Sequence, residues 1–145
     1  MKVALEKRHP LAVLPIYSTS SSAGADLCAL PEEKTVMILP GETKLLPTGI
    51  AVAIPEGYVG LICARSGLSV KEGLAPANKV GVIDADYRGE LMVALHNHSQ
   101  SPRQVTRGQR IAQLLIMPVV QAEFEVVDSL SGTERGQGGF GSTGK

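Results

Sequence analysis

Aromatic residues are almost absent from this chain. Its 145 residues include no tryptophan, three tyrosines and two phenylalanines. The core must therefore be built from aliphatic side chains. Long hydrophobic runs are also missing, because the apolar patch at Leu11–Ile16 is interrupted by Pro15 and is too short for a signal sequence or a membrane span. We therefore expect a soluble, cytoplasmic protein that does not associate with membranes.

The chain also lacks an excess of charge of either sign. Fourteen Lys and Arg residues balance fourteen Asp and Glu residues, so the formal net charge is zero. Bulk attraction to a polyanion is thereby excluded, and nucleic acid is not an expected partner. Cys28 and Cys63 lie far apart without the spacing of a metal site, which is typical of free thiols in a reducing compartment. Any recognition of phosphate must depend on a few local side chains.

Glycine and proline, in contrast, recur at short intervals, which leaves little room for long helices. Turn signals occur at Pro40–Glu42, Pro47–Gly49, Pro55–Gly57 and Arg107–Gln109. This spacing predicts an all-β fold, a jelly-roll-like distorted barrel or sandwich, with at most one short helix at Gly67–Glu72 that ends at Gly73. The segments that favour strands are Ile50–Ile54, Glu90–Asn97, Arg110–Val120 and Glu123–Val126.

The composition changes at Ser131, where the glycine-rich sequence SGTERGQGGFGSTGK begins. We therefore divide the chain into a β domain, residues 1–130, and a flexible tail, residues 131–145. A disordered end is one interpretation. However, Phe140 stands alone among glycines, near the phosphate-binding side chains of Arg135, Ser142 and Thr143. A tail of this composition could instead become an ordered lid over a nucleotide.

The segment Gly81–Leu91, GVIDADYRGEL, predicts a strand, a tight turn and a returning strand. Asp84 follows an apolar run directly, and Asp86, Tyr87 and the turn residue Gly89 come next. An acid fixed at the end of a strand can orient and deprotonate a water molecule. Ordinary turn chemistry is the alternative interpretation.

Three further motifs offer polar groups in restrained settings. Arg65 and Ser66 in ARSGLS could bind an anion, although Ser66 could simply be the N-cap of the short helix. Gln113 is polar within an apolar strand and could face outward instead. Asp26 in AGADLCA is either a turn acid or a water-mediated metal contact. His96 and His98 have no third ligand nearby, which favours solvent-facing residues at a strand end.

Taken in this order, the motifs AGADLCA, ARSGLS, GVIDADYRGEL, RGQRIAQLLI and RGQGGFGSTG resemble those of the trimeric deoxyuridine triphosphate nucleotidohydrolases, the dUTPases. The resemblance covers nearly the whole chain. It implies a homotrimer of jelly-roll-like subunits, with active sites between subunits and the tail of one chain closing over a site made by the others. It also implies hydrolysis of dUTP to dUMP and pyrophosphate with Mg²⁺, which keeps uracil out of DNA.

The resemblance assigns roles to individual residues. Asp84 matches the acid that activates the attacking water, and Tyr87 matches the ring that leaves no room for a 2′-hydroxyl group. Mg²⁺ would be held by the substrate triphosphate, with Asp26 in contact only through water. The uracil pocket would comprise Asn78, Met92 and the backbone of Val82, Ile83 and Asp84. The phosphate contacts would be Arg65, Ser66, Gly67 and Gln113, and the closing tail would contribute Arg135, Phe140, Ser142 and Thr143, with Phe140 over the uracil.

Two alternatives share this fold. In a dCTP deaminase the general-base glutamate would fall at Ala94, and a glycine-rich tail would be missing. A catalytically inactive β module that binds nucleotide or protein would need neither Asp84 nor the Arg135–Phe140 segment. One departure from the dUTPase pattern is Ala64, which stands where the family usually has proline and could loosen the turn before Arg65.

Overall fold

The computed structural model describes residues 1–139. Within that range the chain is mostly strands with one short helix, so the all-β prediction is confirmed. The helix is not long or apolar enough to cross a membrane. In chain order the elements are β1 (Ala4–Lys7), β2 (Ile16–Tyr17), β3 (Ala25–Cys28), β4 (Thr35–Ile38), β5 (Thr43–Pro47), β6 (Ile50–Ala53), β7 (Tyr58–Cys63), α1 (Ser66–Glu72), β8 (Leu74–Pro76), β9 (Val80–Ile83), β10 (Met92–Asn97), β11 (Arg103–Thr106) and β12 (Arg110–Pro118).

The strands form four antiparallel sheets around one core, and none of these sheets closes into a barrel within the described range. The largest sheet has the order β2-β3-β12-β7-β9, and a second has the order β5-β10-β8. Two pairs, β1-β6 and β4-β11, complete the set. The core is aliphatic, as the composition requires, and its most deeply buried members include Leu27, Ile38, Ile50, Leu74, Leu91, Leu95 and Ile111.

The predicted turns and the predicted helix are confirmed. Gly41, Gly49, Gly57 and Gly108 all have φ between 73° and 82°, a region in which glycine avoids the strain of a side chain. The helix begins at Ser66 and ends at Glu72. Gly73 then adopts φ 69°, and its N–H donates to the carbonyl of Ser69.

The predicted hairpin at Gly81–Leu91 is wrong in its pairing. Strand β9 pairs with β7, whereas β10 pairs with β5 and β8, so the two strands lie in different sheets. The connection turns tightly at its start, where Tyr87 N–H donates to the Asp84 carbonyl at 3.2 Å. At its end, Leu91 bonds to Ile50 and Thr48 instead of closing onto β9. Long-range hydrogen bonds therefore override the local hairpin pattern.

The strand predicted at Glu123–Val126 is also wrong. After β12 the last bond to the sheets is from Val119 N–H to the Gly57 carbonyl, at 2.9 Å. No helix or strand follows it as far as residue 139. A strand needs a partner for its backbone groups, and this chain supplies none here. Consequently several apolar side chains are at least 89% exposed: Val120, Phe124, Val126 and Leu130.

Asn97 joins two of the sheets through a fully buried amide. Its Nδ2 donates to the carbonyls of Ile38, at the end of β4, and Ser101 at 2.9 and 2.8 Å. Its Oδ1 accepts from the N–H and the hydroxyl of Ser99 at 2.9 and 2.7 Å. The amide thus satisfies buried backbone groups that would otherwise lack partners.

We predict that Asn97→Ala lowers the free energy of unfolding by about 3 kcal/mol, because it removes these bonds and leaves a buried carbonyl unpaired. Urea unfolding followed by circular dichroism, at one fixed protein concentration, measures the change. Gln104→Ala, at an exposed position of β11, is the matched control. Equal stabilities for the two variants would show that Asn97 does not hold the sheets together.

Candidate functional site

Three adjacent strands bring together the motifs AGADLCA, ARSGLS and RGQRIAQLLI. Asp26 on β3 faces Gln113 on β12, which in turn faces Cys63 on β7. Arg65 follows β7 two residues later, so these groups converge on one edge of the sheet. They surround a cleft of about 310 Å³, which the predicted phosphate residues Arg65, Ser66, Gly67 and Gln113 line together with Asp26, Ser18 and Ser22.

Asp26 lies at the base of this cleft between two arginines. Arg65 Nε donates to its Oδ1 at 2.7 Å, and Arg110 Nη1 donates to its Oδ2 at 2.9 Å. Ser18 Oγ donates to Oδ2 at 3.1 Å. Burial alone would raise the pKa of the Asp26 carboxyl, but the bonds from Arg65, Arg110 and Ser18 outweigh burial and hold the pKa below its usual value of 3.8. Asp26 is therefore ionised at neutral pH.

Neither Arg110 nor Ser18 was predicted as a site residue. The motif RGQRIAQLLI drew attention to Gln113, yet Arg110 in the same motif contacts the acid of the first motif. A basic residue at the start of a strand is an ordinary feature, so the sequence offers no signal without knowledge of which strands pair. The register of β3 with β12 supplies that knowledge, because it aligns Cys28 with Arg110.

The segment after β7 is held by its neighbours. Arg65, with φ −90° and ψ 124°, occupies the N-cap position of α1, and no side chain caps the helix. The interpretation of Ser66 as the N-cap is therefore wrong, and Ser66 is an exposed first helical residue on the cleft. Gln113 Nε2 donates to the Ala64 carbonyl at 3.0 Å, which fixes the turn. Gly24 packs so closely on Gln113 that a Cβ there would lie 2.7 Å from Oε1.

The motif GVIDADYRGEL forms a separate surface around β9. Within residues 1–139, β9 is an edge strand whose one partner is β7. Asn78 lies over Gly81, where a Cβ would be 3.2 Å from Asn78 Nδ2. Val82 is 61% exposed, and Ile83 is half-buried. The outer edge of β9 thus offers backbone donors and acceptors beside an exposed apolar surface.

Tyr87 and Asp84 follow β9 in the turn. The Tyr87 hydroxyl donates to the Glu90 carbonyl at 3.0 Å, and its ring lies against Gly89, where a Cβ would be 2.2 Å from the hydroxyl oxygen. The ring is therefore fixed in place while 42% of the residue remains exposed. The Asp84 carboxylate is exposed and forms no hydrogen bond or ion pair with residues 1–139.

These two surfaces lie at opposite ends of β7. Gly60 pairs with Ile83, which puts Asp84 beside Val59 near the start of the strand. Arg65 follows the other end of the same strand. At about 3.3 Å per residue, the intervening residues separate the backbones of Asp84 and Arg65 by about 20 Å, which is farther than an arginine side chain reaches. One chain therefore does not bring its own Asp84 to its own Arg65.

The remaining predicted residues have these locations. Met92 is half-buried at the start of β10, and Arg135 lies in an exposed turn where its Nε donates to the Gly138 carbonyl at 3.0 Å. Phe140, Ser142 and Thr143 lie outside the described residues.

His96 Nδ1 shares a hydrogen bond of 2.8 Å with Thr43, and residues 1–139 contain no cluster of three or more metal-ligating side chains.

The depressed pKa of Asp26 predicts a pH-dependent contribution to stability. Because the pKa is lower in the folded than in the unfolded state, its ion pairs stabilise the fold above about pH 3.8, and this is lost as the pH falls through the folded value. We expect Asp26→Asn to lower the free energy of unfolding by about 2 kcal/mol at pH 7, and by less near pH 3.

Urea unfolding across this pH range in the presence of EDTA makes the measurement. The groups that face the Asp26 carboxylate are the guanidinium groups of Arg65 and Arg110 and the Ser18 hydroxyl. Burial raises the pKa of the nearby Cys28 thiol, so that it stays neutral over this range. Asp86→Asn, in the exposed turn, is the control. A difference between wild type and Asp26→Asn that is equal at both pH values would contradict the assignment.

Comparison with known proteins identifies the family of this chain. A family model described as dUTPase matches residues 11–144. The deoxyuridine 5′-triphosphate nucleotidohydrolase of Maricaulis maris is 52% identical over 132 residues, covering 90% of this chain and 87% of that protein. That of Nautilia profundicola is 49% identical over 145 residues, the full length of both. The structure of a Staphylococcus bacteriophage 80alpha dUTPase mutant with dUpNHpp superposes with a TM-score of 0.91 at 30% identity, covering 99% of each chain. The chain belongs to the dUTPase family.

Proposed function

We propose that this protein hydrolyses dUTP to dUMP and pyrophosphate with Mg²⁺, at sites that form between the subunits of a homotrimer. The observation that carries this proposal is the separation of the two surfaces along β7. The groups suited to phosphate lie at one end of the strand, and those suited to a nucleoside and to water activation lie at the other. A site that needs both must combine two chains.

The cleft around Arg65 suits a triphosphate. Arg65 offers a planar charged fork, and the first N–H groups of α1 have no acceptor within the helix. Gly67 supports the same role, because a Cβ at this position would meet nothing within 4 Å and its φ is not positive. Glycine in a helix costs about 1 kcal/mol relative to alanine, so the chain itself gains nothing from it. Without a side chain at this position, a phosphate could approach the backbone closely.

The surface around β9 suits deoxyuridine. The rigid backbone at Val82–Asp84 can present a fixed donor and acceptor to the uracil edge, and a base with the wrong edge would leave buried polar groups unpaired. The fixed Tyr87 ring would pack against the sugar and exclude a 2′-hydroxyl group. The Asp84 carboxylate would accept a proton from a water molecule, and its place at the end of a paired strand would orient that water for attack on the α-phosphorus.

Mg²⁺ would arrive on the triphosphate, where it neutralises charge and orients the phosphates. The chain's own donors fit this arrangement. Both Asp26 oxygens already accept bonds from guanidinium groups, so Asp26 is poorly placed as a direct ligand. Oδ2 accepts from both Arg110 and Ser18, whereas Oδ1 accepts only from Arg65 among residues 1–139. Oδ1 therefore keeps a lone pair with which Asp26 could accept a hydrogen bond from metal-bound water.

The exposed C-terminal segment supports the proposals of a homotrimer and of a closing tail. Val120, Phe124, Val126 and Leu130 would be costly to leave in water as a group. A second copy of the chain is the cover that we propose, and it would carry the glycine-rich tail towards a neighbouring site. There Arg135 and the tail residues beyond 139 would contact the distal phosphates, with Phe140 over the uracil.

The deciding experiment measures pyrophosphate release from dUTP, UTP, dTTP and dCTP with Mg²⁺. We expect turnover of dUTP with strong preference over the other three nucleotides. Ammonia release from dCTP would indicate a deaminase instead. Tight binding of dUTP without turnover would indicate an inactive binding module.

Mixed trimers test whether the site is shared. Asp84→Asn and Arg65→Ala should each reduce turnover by orders of magnitude, the former with dUTP affinity largely retained. When the two variants are unfolded together and refolded as an equal mixture, about a quarter of the sites should combine an intact Asp84 from one chain with an intact Arg65 from another.

Activity of the mixture should therefore rise well above that of either variant refolded alone. Each variant mixed with itself is the control, and light scattering checks that trimers form. Activity of the mixture that stays at the level of the separate variants would mean that Asp84 and Arg65 act from the same chain.

Deleting residues 132–145 tests the tail. We expect a folded trimer with poor turnover, because the deletion removes the lid but leaves the sheets intact. Circular dichroism and light scattering report on the fold and the assembly, and dUTP turnover reports on closure. A truncated protein that fails to fold would make the tail structural.

A further inference from the structure

Arg110 is linked to Arg65 in two ways, through the Asp26 carboxylate and through its own backbone carbonyl. It does not itself line the cleft around Arg65. Its Nη1 donates to Asp26 Oδ2 at 2.9 Å, and it also approaches Ser18 Oγ at 3.5 Å. The other Asp26 oxygen accepts from Arg65 Nε at 2.7 Å. In addition, the backbone carbonyl of Arg110 accepts from Arg65 Nη1 at 3.4 Å. Arg110 therefore supports both the carboxylate and one edge of the Arg65 guanidinium.

This arrangement leaves one part of Arg65 free. Nε and Nη1 are engaged within the chain, whereas Nη2 has no bond to any residue in the range 1–139. Because the guanidinium is planar, fixing Nε and Nη1 also fixes the direction of the Nη2 hydrogens. Arg65 lines the cleft, so these hydrogens are available to a phosphate, together with the second hydrogen of Nη1.

Asp26 can hold Arg65 in this way only if its own orientation is fixed. Arg65 bonds one carboxylate oxygen, and Arg110 with Ser18 bonds the other, which prevents rotation of the carboxylate. Without Arg110, Oδ2 would keep only the hydroxyl donor of Ser18 and would lose its ion pair with a guanidinium group. The Asp26 carboxylate would then be less restrained against rotation, and so would the Arg65 guanidinium that it orients.

We propose that Arg110 is a positioning residue, which acts through Asp26 to hold the Arg65 guanidinium in the orientation that binds the substrate phosphates. This inference rests on the proposed function. It differs from a direct phosphate contact by Arg110, whose side chain also borders a neighbouring groove with Lys71. It differs as well from a purely structural ion pair, which would affect stability alone.

Kinetics with dUTP test the role. Arg110→Gln should lower kcat/KM by about tenfold, the usual effect of losing a group that orients a binding residue. Arg110→Lys, which keeps one charged donor for Asp26, should recover part of this loss. Arg103→Gln is the matched control, because Arg103 lies on β11 and its side chain hydrogen-bonds only Ser99 Oγ among residues 1–139, at 3.1 Å.

A double-mutant cycle separates positioning from direct contact. If Arg110 acts through Asp26, replacing Arg110 in an Asp26→Asn background should cause little further loss. A loss that persists in full in that background would overturn the proposal in favour of direct phosphate binding by Arg110. A kcat/KM for Arg110→Gln equal to that of Arg103→Gln would overturn it in favour of a structural role.

An NMR measurement keeps the test independent of turnover. The Nε–H signal of Arg65, identified by its loss in Arg65→Lys, should be protected from solvent exchange in the wild type and should lose that protection in Arg110→Gln. Unchanged protection would overturn the proposal. If the wild-type protein fails to hydrolyse dUTP, the proposed function fails, whereas this signal still decides whether Arg110 positions Arg65.

Discussion

The pairing of β7 with β12 on one side and with β9 on the other is the constraint on which the rest of the molecule depends. Pairing with β12 aligns Asp26, Gln113 and the end of β7 that leads to Arg65. Pairing with β9 directs Asp84 to the other end. A strand is too stiff to bend these ends together, so each chain carries two separate surfaces, which the proposed function assigns to sites shared with different neighbouring copies.

Local charge, and not the overall charge of the chain, makes the cleft around Arg65 suited to an anion. The chain has a formal net charge of zero, yet two arginines surround one carboxylate beside the cleft. Taking a lone carboxylate out of water costs several kcal/mol, and the arginine bonds offset this cost. The cluster as a whole keeps one positive charge, which favours an anion in the cleft. Under the proposed function, this local charge would let a neutral protein bind a triphosphate without attracting polyanions in general.

Short-range features of the fold could be predicted from the sequence, whereas long-range pairing could not. Turn glycines such as Gly57, the helix that ends before Gly73 and the aliphatic core all follow from residue type and local spacing. The hairpin at Gly81–Leu91 failed because the partners of β9 and β10 are distant in sequence. The alternation at Glu123–Val126 suggested a strand for which this chain has no partner.

The residues of the candidate site also divide into those that local motifs predict and those that depend on long-range pairing. Asp84, Tyr87, Arg65 and Gln113 stand in motifs that resemble a family, so their positions could be matched one by one. Arg110 stands in one of those motifs too, but its contact with Asp26 depends on the register between β3 and β12. Register is decided by packing across the sheet, and a single sequence does not reveal it.

The fixed length of β7 has a consequence for how this protein can change over time. Inserting one residue within the strand would reverse the faces of all the side chains beyond it. Because its two ends lead to the two separate surfaces, that single event would disturb both of them. The segment after Pro118 forms no strand within residues 1–139, so a change in its length would reverse no side-chain faces. Variation in length among descendants should therefore accumulate in that segment, while β7 keeps its six residues.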